Sequence, residues 1–311
     1  MLDIKFVRDN QEAVAEAMKN RNASWDASRF SQLDETRRAA IAKEEALQAE
    51  RNAASKSIGA MMAAGQKDQA EAAKERVRAI NEEIAAIGKE REAADADLRE
   101  LMMSTPNMPA DSTPVGQSED DNPEVRRWGT PRDFAAEGIE AKPHWDLGPE
   151  LGIIDFERGV KLAKSRFYLL GGLGARLERS LINFMADTHA SRGYKEWWCP
   201  AMANGTTLTG TGQLPKFEED LFKTTNGLYL IPTAEVQLTN IHAGEVLDAD
   251  QLPLHYCAFT PCFREEAGSA GRDTRGIIRV HQFSKVEMVK FAKPEESFDE
   301  LEGMVADAEH I

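Results

Sequence analysis

The residues with the most chemistry in them lie between Leu254 and Phe291, in LHYCAFTPCFREEAGSAGRDTRGIIRVHQFSKVEMVKF. The first run alternates in type, Tyr256 and Ala258 against Cys257 and Phe259, and ends in Phe263-Arg264-Glu265-Glu266. The second, Ile277 to Phe291, puts Phe283, Lys285, Glu287 and Val289 on one face, because side chains alternate along a strand. Between them Gly268, Gly271 and Gly276 punctuate a loop that Arg272, Arg275 and Arg279 charge positively. The pattern predicts two strands joined by that loop, bringing together an arginine, carboxylates and an aromatic ring. Arg264 offers a planar fork to a phosphate or carboxylate. Phe283 offers a stacking surface, and Glu287 an acceptor for an amine or hydroxyl. Glu265 alone reads as a solvent-exposed acid, and Lys285 as the partner of a neighbouring one.

A second cluster lies in Leu228 to Thr239, LYLIPTAEVQLT. Thr233 and Glu235 flank Ala234, and on an extended backbone they would share a face. A Thr followed closely by Glu also suits a helix cap. Just upstream, the glycine, proline and acids of Gly210 to Phe222 fit either a mobile lid or a surface loop.

Several elements must carry these clusters. Phe167 to Leu170 reads as a strand. Ala175 to Ser191 reads as an amphipathic helix with Leu177, Leu181, Phe184 and Met185 at helical spacing, and His189 as a residue of its end. Gly193-Tyr194-Lys195-Glu196 turns the chain into a strand ending at Pro200. Pro294 to Ile311 reads as a helix with Phe298, Leu301, Val305 and Ala308 apolar, and no glycine caps its end.

The first third has another texture. Residues 1 to 25 read as a short strand or cap plus a helix, with Val7, Val14, Ala17 and Met18 on one side. Val77, Ile80, Ile84, Ile87, Arg91, Ala94, Leu98 and Leu101 then step by threes and fours, a heptad seam. Phe30, Leu33, Arg37, Ala40, Glu44, Leu47, Arg51, Ala54, Ile58 and Met61 repeat the spacing with polar interruptions. Ala64-Gly65-Gln66-Lys67 supplies a stop and a turn. Two helices of about 35 residues would make an antiparallel hairpin roughly 50 Å long at 1.5 Å per residue. Arg38, Lys43, Lys56, Lys74, Arg78 and Lys89 stand ready for phosphates, with Glu45, Glu50, Glu71 and Glu82 among them. On residues alone, an RNA-binding arm and a structural or dimerising coiled coil fit equally. From Ser104 to Pro149 seven of the thirteen prolines occur, and Trp128, Phe134 and Trp145 predict a linker that wraps rather than hangs free.

The chain has 311 residues, 41% of them hydrophobic, enough for a sizeable core and two domains. Its formal net charge of −15 bears on solubility and steering, not on the sign of a local patch. Cys199, Cys257 and Cys262 form no CxxC pair, which suits structural thiols in a reducing compartment. The first ten residues are charged rather than apolar, and no run of about eighteen apolar residues offers a membrane span. A soluble, cytoplasmic protein is expected.

The run FREEAGSAGRDTRGIIRVHQFSKVEM resembles the second signature motif of class II aminoacyl-tRNA synthetases, in the form seen in the bacterial-type seryl-tRNA synthetase family. The resemblance covers the whole chain. It implies an α+β fold: a long antiparallel two-helix coiled-coil arm (1–104) that grips tRNA, a wrapping linker (105–149), and a class II antiparallel-sheet catalytic domain (150–311). It implies a serine–tRNA ligase that activates L-serine with ATP to seryl-adenylate and transfers it to tRNA-Ser, with tRNA-Sec as a further acceptor. By resemblance, Arg264 is the catalytic arginine at the α-phosphate, and Thr233, Ala234, Glu235 and Glu287 receive serine. ATP is met by Arg264, Glu265, Glu266, Val280 and Phe283, and the tRNA acceptor end by Arg272 and Arg275. The helix and strand around Ala175 to Pro200 are similar to the family's dimer-building motif, so a homodimer is expected. Family members continue for roughly another quarter of their length. Magnesium ligands are expected in that further part, and this chain alone is expected to be inactive. A non-catalytic, tRNA-binding relative and a coiled-coil interaction protein are the competing expectations.

Overall fold

The computed structural model describes residues 1–267 and 275–311 and divides into two compact units, Met1–Gly129 and Thr130–Ile311. The first unit is helical from its start: α1 (Ile4–Asp9), α2 (Gln11–Asn20), α3 (Ala27–Ala63) and α4 (Lys67–Ser104). Of the short strand or cap expected near residue 1, the structure has the cap: the Asp3 carboxylate starts α1 by accepting from Phe6 N–H at 2.8 Å. Val7, Val14, Ala17 and Met18 pack together with Phe30, Leu98 and Met102 at the base of the long helices. Farther out, Ala40 and Leu47 of α3 meet Ile80 and Ile87 of α4, as the heptad spacing predicts. The turn passes through Gly65 at φ +77°, a left-handed conformation that favours glycine.

The polar interruptions in the seam are partners across it. Glu44 accepts from Arg91 at 2.7 Å, and Arg37 pairs with Asp95. Nearer the base, buried Asp34 takes the Arg8 guanidinium with both oxygens, at 2.5 and 2.7 Å. Asp34 is held below the ordinary carboxylate range, first by that hydrogen bond and then by the surrounding arginine charges, against the opposing effect of burial. The linker departs from expectation. Residues 117–142 are exposed throughout, and Trp128 is 94% exposed rather than buried. Phe134 is also exposed, its ring facing the Arg132 guanidinium at 5.1 Å. Trp145 alone of the three aromatics is half-buried.

The second unit runs α5 (His144–Glu150), β1 (Ile154–Asp155), α6 (Phe156–Ala163), β2 (Leu169–Leu170), α7 (Leu173–Ser191), β3 (Lys195–Glu196), β4 (Met202–Ala203), α8 (Gly205–Gly210), β5 (Tyr229–Leu230), α9 (Glu235–Thr239), β6 (Leu254–Phe263), β7 (Gln282–Phe291) and α10 (Ser297–His310). β6 and β7 form an antiparallel ribbon from Leu254↔Phe291 to Phe263↔Gln282, and β3 joins β6 in parallel. The second strand starts at Gln282, not Ile277. At the next pair His281 spends its Nδ1–H on Arg264 O (2.9 Å), and Arg279 turns to Glu266 (2.8 Å). The strands expected at Phe167–Leu170 and Tyr194–Pro200 shorten to the two-residue β2 and β3.

Two helices face differently from what their apolar spacing suggests. α7 buries Ala186 and His189, while Leu173, Leu177, Leu181 and Phe184 are exposed. α10 is held by its acids. Glu300 Oε2 takes Lys290 Nζ at 2.8 Å and lies 3.1 Å from His255 Nε2. Asp307 takes the Tyr194 hydroxyl at 2.7 Å and Arg192 Nε at 2.5 Å. Phe298, Leu301 and Val305 are therefore left outward. Cys257 and Cys262 are buried and unpaired, with burial pushing the Cys257 thiol up to about 11, so it stays neutral.

Candidate active site

Where the β6–β7 ribbon meets the chain between β5 and α9, a cavity of about 390 Å³ opens. Arg264 enters it just past the end of β6, and Lys285 from β7. Thr233 and Glu235 come from the opposite wall, and Gln213, Phe217 and Asp220 from the Gly210–Phe222 segment. Three acids (Asp220, Glu235, Glu266) and three cations (Arg264, Arg279, Lys285) line it. The site is charge-balanced within a strongly acidic chain, a setting suited to a zwitterion.

The Thr-Ala-Glu stretch is not extended, as one-face alternation would need. Ala234 has helical dihedrals (φ −68°, ψ −13°), and α9 begins at Glu235. Thr233 Oγ1 accepts from Glu235 N–H at 3.1 Å, so a strand-to-helix turn aims both side chains into the cavity. Ala234 is fully buried against Leu238, Tyr256 and Ala258, which ties the turn to the sheet.

The Thr233 hydroxyl donates to Glu287 Oε2 across 54 residues of sequence. Lys285 Nζ lies 2.6 Å from that same Oε2 and 3.1 Å from Thr233 Oγ1. Lys285 thus pairs with a neighbouring acid, as the sequence suggests, and does so inside the site. The Arg264 guanidinium lies 5.2 Å from the Phe283 ring centroid, within cation–π range. Its backbone is held by His281, whose Nδ1 must carry the proton to reach a carbonyl oxygen. Glu266 adopts φ +55°. Asp220 bonds the end of the ribbon from across the cavity, its carbonyl accepting from Glu265 N–H at 2.9 Å and its Oδ1 from Ala267 N–H at 3.1 Å.

Not every expected residue converges here. Glu265 is exposed and Val280 buried, and neither lines the cavity. Phe283 instead lines a neighbouring cavity of about 430 Å³ with Tyr168 and Leu170. The Arg275 guanidinium sits 5.3 Å from the Trp145 ring centroid. Arg272, with Gly268 and Gly271, lies outside the described residues. Sequence reasoning missed His144, whose Nε2 accepts from Ile277 N–H at 2.8 Å. It also missed Asp220 as a tie between segments. Neither had a local signal, because both act across more than forty residues of chain.

Residues 1–109 match the model for the seryl-tRNA synthetase N-terminal domain, and residues 216–311 that for the class II tRNA synthetase core domain (G, H, P, S and T). The serine–tRNA ligase of Solibacter usitatus is 52% identical over 313 residues, covering 100% of this chain and 73% of the relative. The chain belongs to the seryl-tRNA synthetase family. The serine–tRNA ligase of Pelobacter propionicus is 50% identical over the same shares. Among solved structures, the seryl-tRNA synthetase of Pyrococcus horikoshii, crystallised with ATP, superposes with a TM-score of 0.87 at 34% identity, over 100% of this chain and 74% of that one. The helical arm followed by a sheet region is therefore a seryl-tRNA synthetase architecture. Among the described residues no helix is long and apolar enough to cross a membrane.

Proposed function

We propose that the seryl-tRNA synthetase fold of this chain serves activation of L-serine with ATP to seryl-adenylate and transfer of the seryl group to tRNA-Ser, with tRNA-Sec as a second acceptor, and that the 311 residues alone bind serine without turning it over. The observation that carries this reading is the cavity in which Arg264, Thr233 and Glu235 converge, with Glu287 bonded to Thr233 at its edge. The serine carboxylate attacks the α-phosphate, the α-phosphate–pyrophosphate bond breaks, and pyrophosphate leaves. Arg264 is assigned to bridge the carboxylate and that phosphate, its guanidinium countering the charge that develops between them. Thr233, Glu235 and Glu287 receive the amine and the hydroxyl. A site built to bond a hydroxyl rejects alanine by a factor of order 10⁴, because the missing group leaves a buried partner unsatisfied.

Phe283 is assigned to stacking on adenine, and Glu266, braced by Arg279, to its amino group. Val280 borders the nucleotide through its backbone, and Glu265 lies toward the nucleotide's solvent side. Arg275 and Arg272 are assigned to the tRNA acceptor end, and the α3–α4 hairpin to the body of the tRNA, whose helical elements are read by shape. Residues 1–104, 105–149 and 150–311 then serve as arm, linker and catalytic domain in the cytoplasm. The exposed Leu173, Leu177, Leu181 and Phe184 face of α7 fits a homodimer contact. Magnesium accompanies ATP. Among the described residues there is no group of three or more His, Cys, Asp or Glu suited to a metal, so the proposal assigns it no residue of this chain.

The test is direct binding on the 311-residue chain, followed by serine-dependent ATP–pyrophosphate exchange. L-Serine and ATP should each bind saturably, with alanine excluded. Deleting residues 30–101 should abolish tRNA-Ser binding and leave serine binding intact. Absence of serine binding overturns the reading.

A further inference from the structure

We propose that Lys285 is a placeholder for the substrate's ammonium group. In the free site its Nζ holds Thr233 Oγ1 and Glu287 Oε2, the acceptors that the amine of the amino acid takes over, and the lysine gives up those two atoms when the amine binds them. This rests on the reading of the cavity as an amino-acid site and deepens it.

The case is one of hydrogen-bond capacity. A threonine hydroxyl has one proton and two lone pairs. Thr233 gives its proton to Glu287 Oε2, and accepts from Glu235 N–H at 3.1 Å and from Lys285 Nζ at 3.1 Å. Nothing is left for a newcomer. Glu287 Oε2 likewise carries both the Thr233 hydroxyl and Lys285 Nζ, the latter at 2.6 Å. An incoming ammonium that uses these acceptors must displace something. Glu235 N–H is backbone, fixed in the first turn of α9. The hydroxyl belongs to Thr233, which is only 4% exposed. Lys285 is the one mobile member, an ammonium on a flexible four-carbon stem with a side chain 32% accessible.

Exchange of one ammonium for another also keeps Glu287 paired throughout. Its side chain is 18% accessible, and a carboxylate so enclosed is costly without a cation. The lysine therefore keeps Glu287 neutralised in the free site. It also sets a requirement on the ligand: a compound with a hydroxyl in place of the amine brings no charge to replace the lysine's.

The experiment is calorimetric titration of the 311-residue chain with L-serine, and separately with ATP, for the unaltered protein, Lys285→Met and Lys285→Arg. Methionine removes the competitor, so serine should bind about fivefold more tightly, the scale of one partly screened ion pair, while ATP affinity stays within about twofold. Arginine grips a carboxylate with a fork and releases it less readily, so serine should bind about fivefold more weakly. Weaker serine binding by Lys285→Met would make the lysine a supporting contact and overturn the proposal. Unaltered serine binding by Lys285→Arg would overturn it independently, should the methionine variant fold poorly. If the unaltered chain binds no serine, the amino-acid reading itself has failed, an outcome distinct from either variant result.

Discussion

Asp307 tests how α10 is held to its unit. Its carboxylate takes the Tyr194 hydroxyl at 2.7 Å and Arg192 Nε at 2.5 Å. Tyr194 is 3% exposed, with its ring against His189 and His255, so Asp307→Ala strands a buried hydroxyl. That costs about 1–3 kcal/mol. Arg192, with a side chain 37% accessible, turns to water and adds little. A loss of about 2–3 kcal/mol is expected for alanine, and about 1–2 kcal/mol for Asp307→Asn, which keeps the shape and one acceptor. Burial by itself pushes the Asp307 carboxyl up. The hydrogen bonds from Tyr194 and Arg192 and the guanidinium charge outweigh it, leaving the carboxyl below its ordinary value. The contribution is thus fully present above the unfolded-state value of about 3.9, and is lost as pH falls from there through the folded-state value. Urea unfolding at neutral pH and near pH 3.5 should show the gap between wild type and Asp307→Asn narrowing in acid, at unchanged urea dependence. A gap that widens in acid, or an alanine variant as stable as wild type, refutes the reasoning.

Glu287→Gln keeps the side chain's size and an acceptor for Thr233, but removes the charge facing Lys285; serine affinity should drop about tenfold, measured by calorimetry, with ATP affinity retained. Gly276→Ala should loosen the anchor at His144, because a Cβ there would lie 2.0 Å from His144 Nε2 and the residue has φ +79°; the expected cost is about 1–3 kcal/mol, with faster proteolysis around residue 276. Leu181→Asp puts a charge in the middle of the exposed α7 face; if that face is the proposed homodimer contact, sedimentation should show unaltered protein as dimer and the variant as monomer, with the circular dichroism of the chain retained.

How much of this was legible beforehand depended on the kind of signal. The heptad spacing of Ile80, Ile87, Ala94 and Leu98 set the α3–α4 hairpin, because a period carried over many turns has no competing explanation. The alternation around Phe283, Lys285 and Glu287 likewise set the β6–β7 ribbon, which buries one residue in two along much of β6. Orientation was less legible where a helix has an apolar stripe and also acids with distant partners. Phe298, Leu301 and Val305 would turn α10 inward by pattern alone. Glu300 and Asp307 turn it the other way, through Lys290, His255, Tyr194 and Arg192. No local window contains both halves of such a pair. Trp128 failed as a core marker for a related reason: it stands in a linker stretch that is exposed on every side, and an aromatic ring is buried only where elements close over it.

The site was legible for a reason separate from its local geometry. Alternation placed Thr233 and Glu235 together through an extended backbone that the chain does not adopt; they converge because a Thr hydroxyl accepting from the N–H two residues on starts a helix at that point. That turn aims the pair into the cavity, with Ala234 small enough to bury beside Leu238 and Ala258. The turn thus constrains size at the middle position and acceptors at the flanks. The same logic applies to Lys285 and Glu287. Their spacing of two along β7 makes them neighbours whatever else the ribbon does, and Thr233 then sets which of Glu287's interactions a ligand must compete with. A charge-balanced cavity in a chain of net charge −15 follows from such short-range rules, since the overall field acts over distances at which these contacts have already been decided.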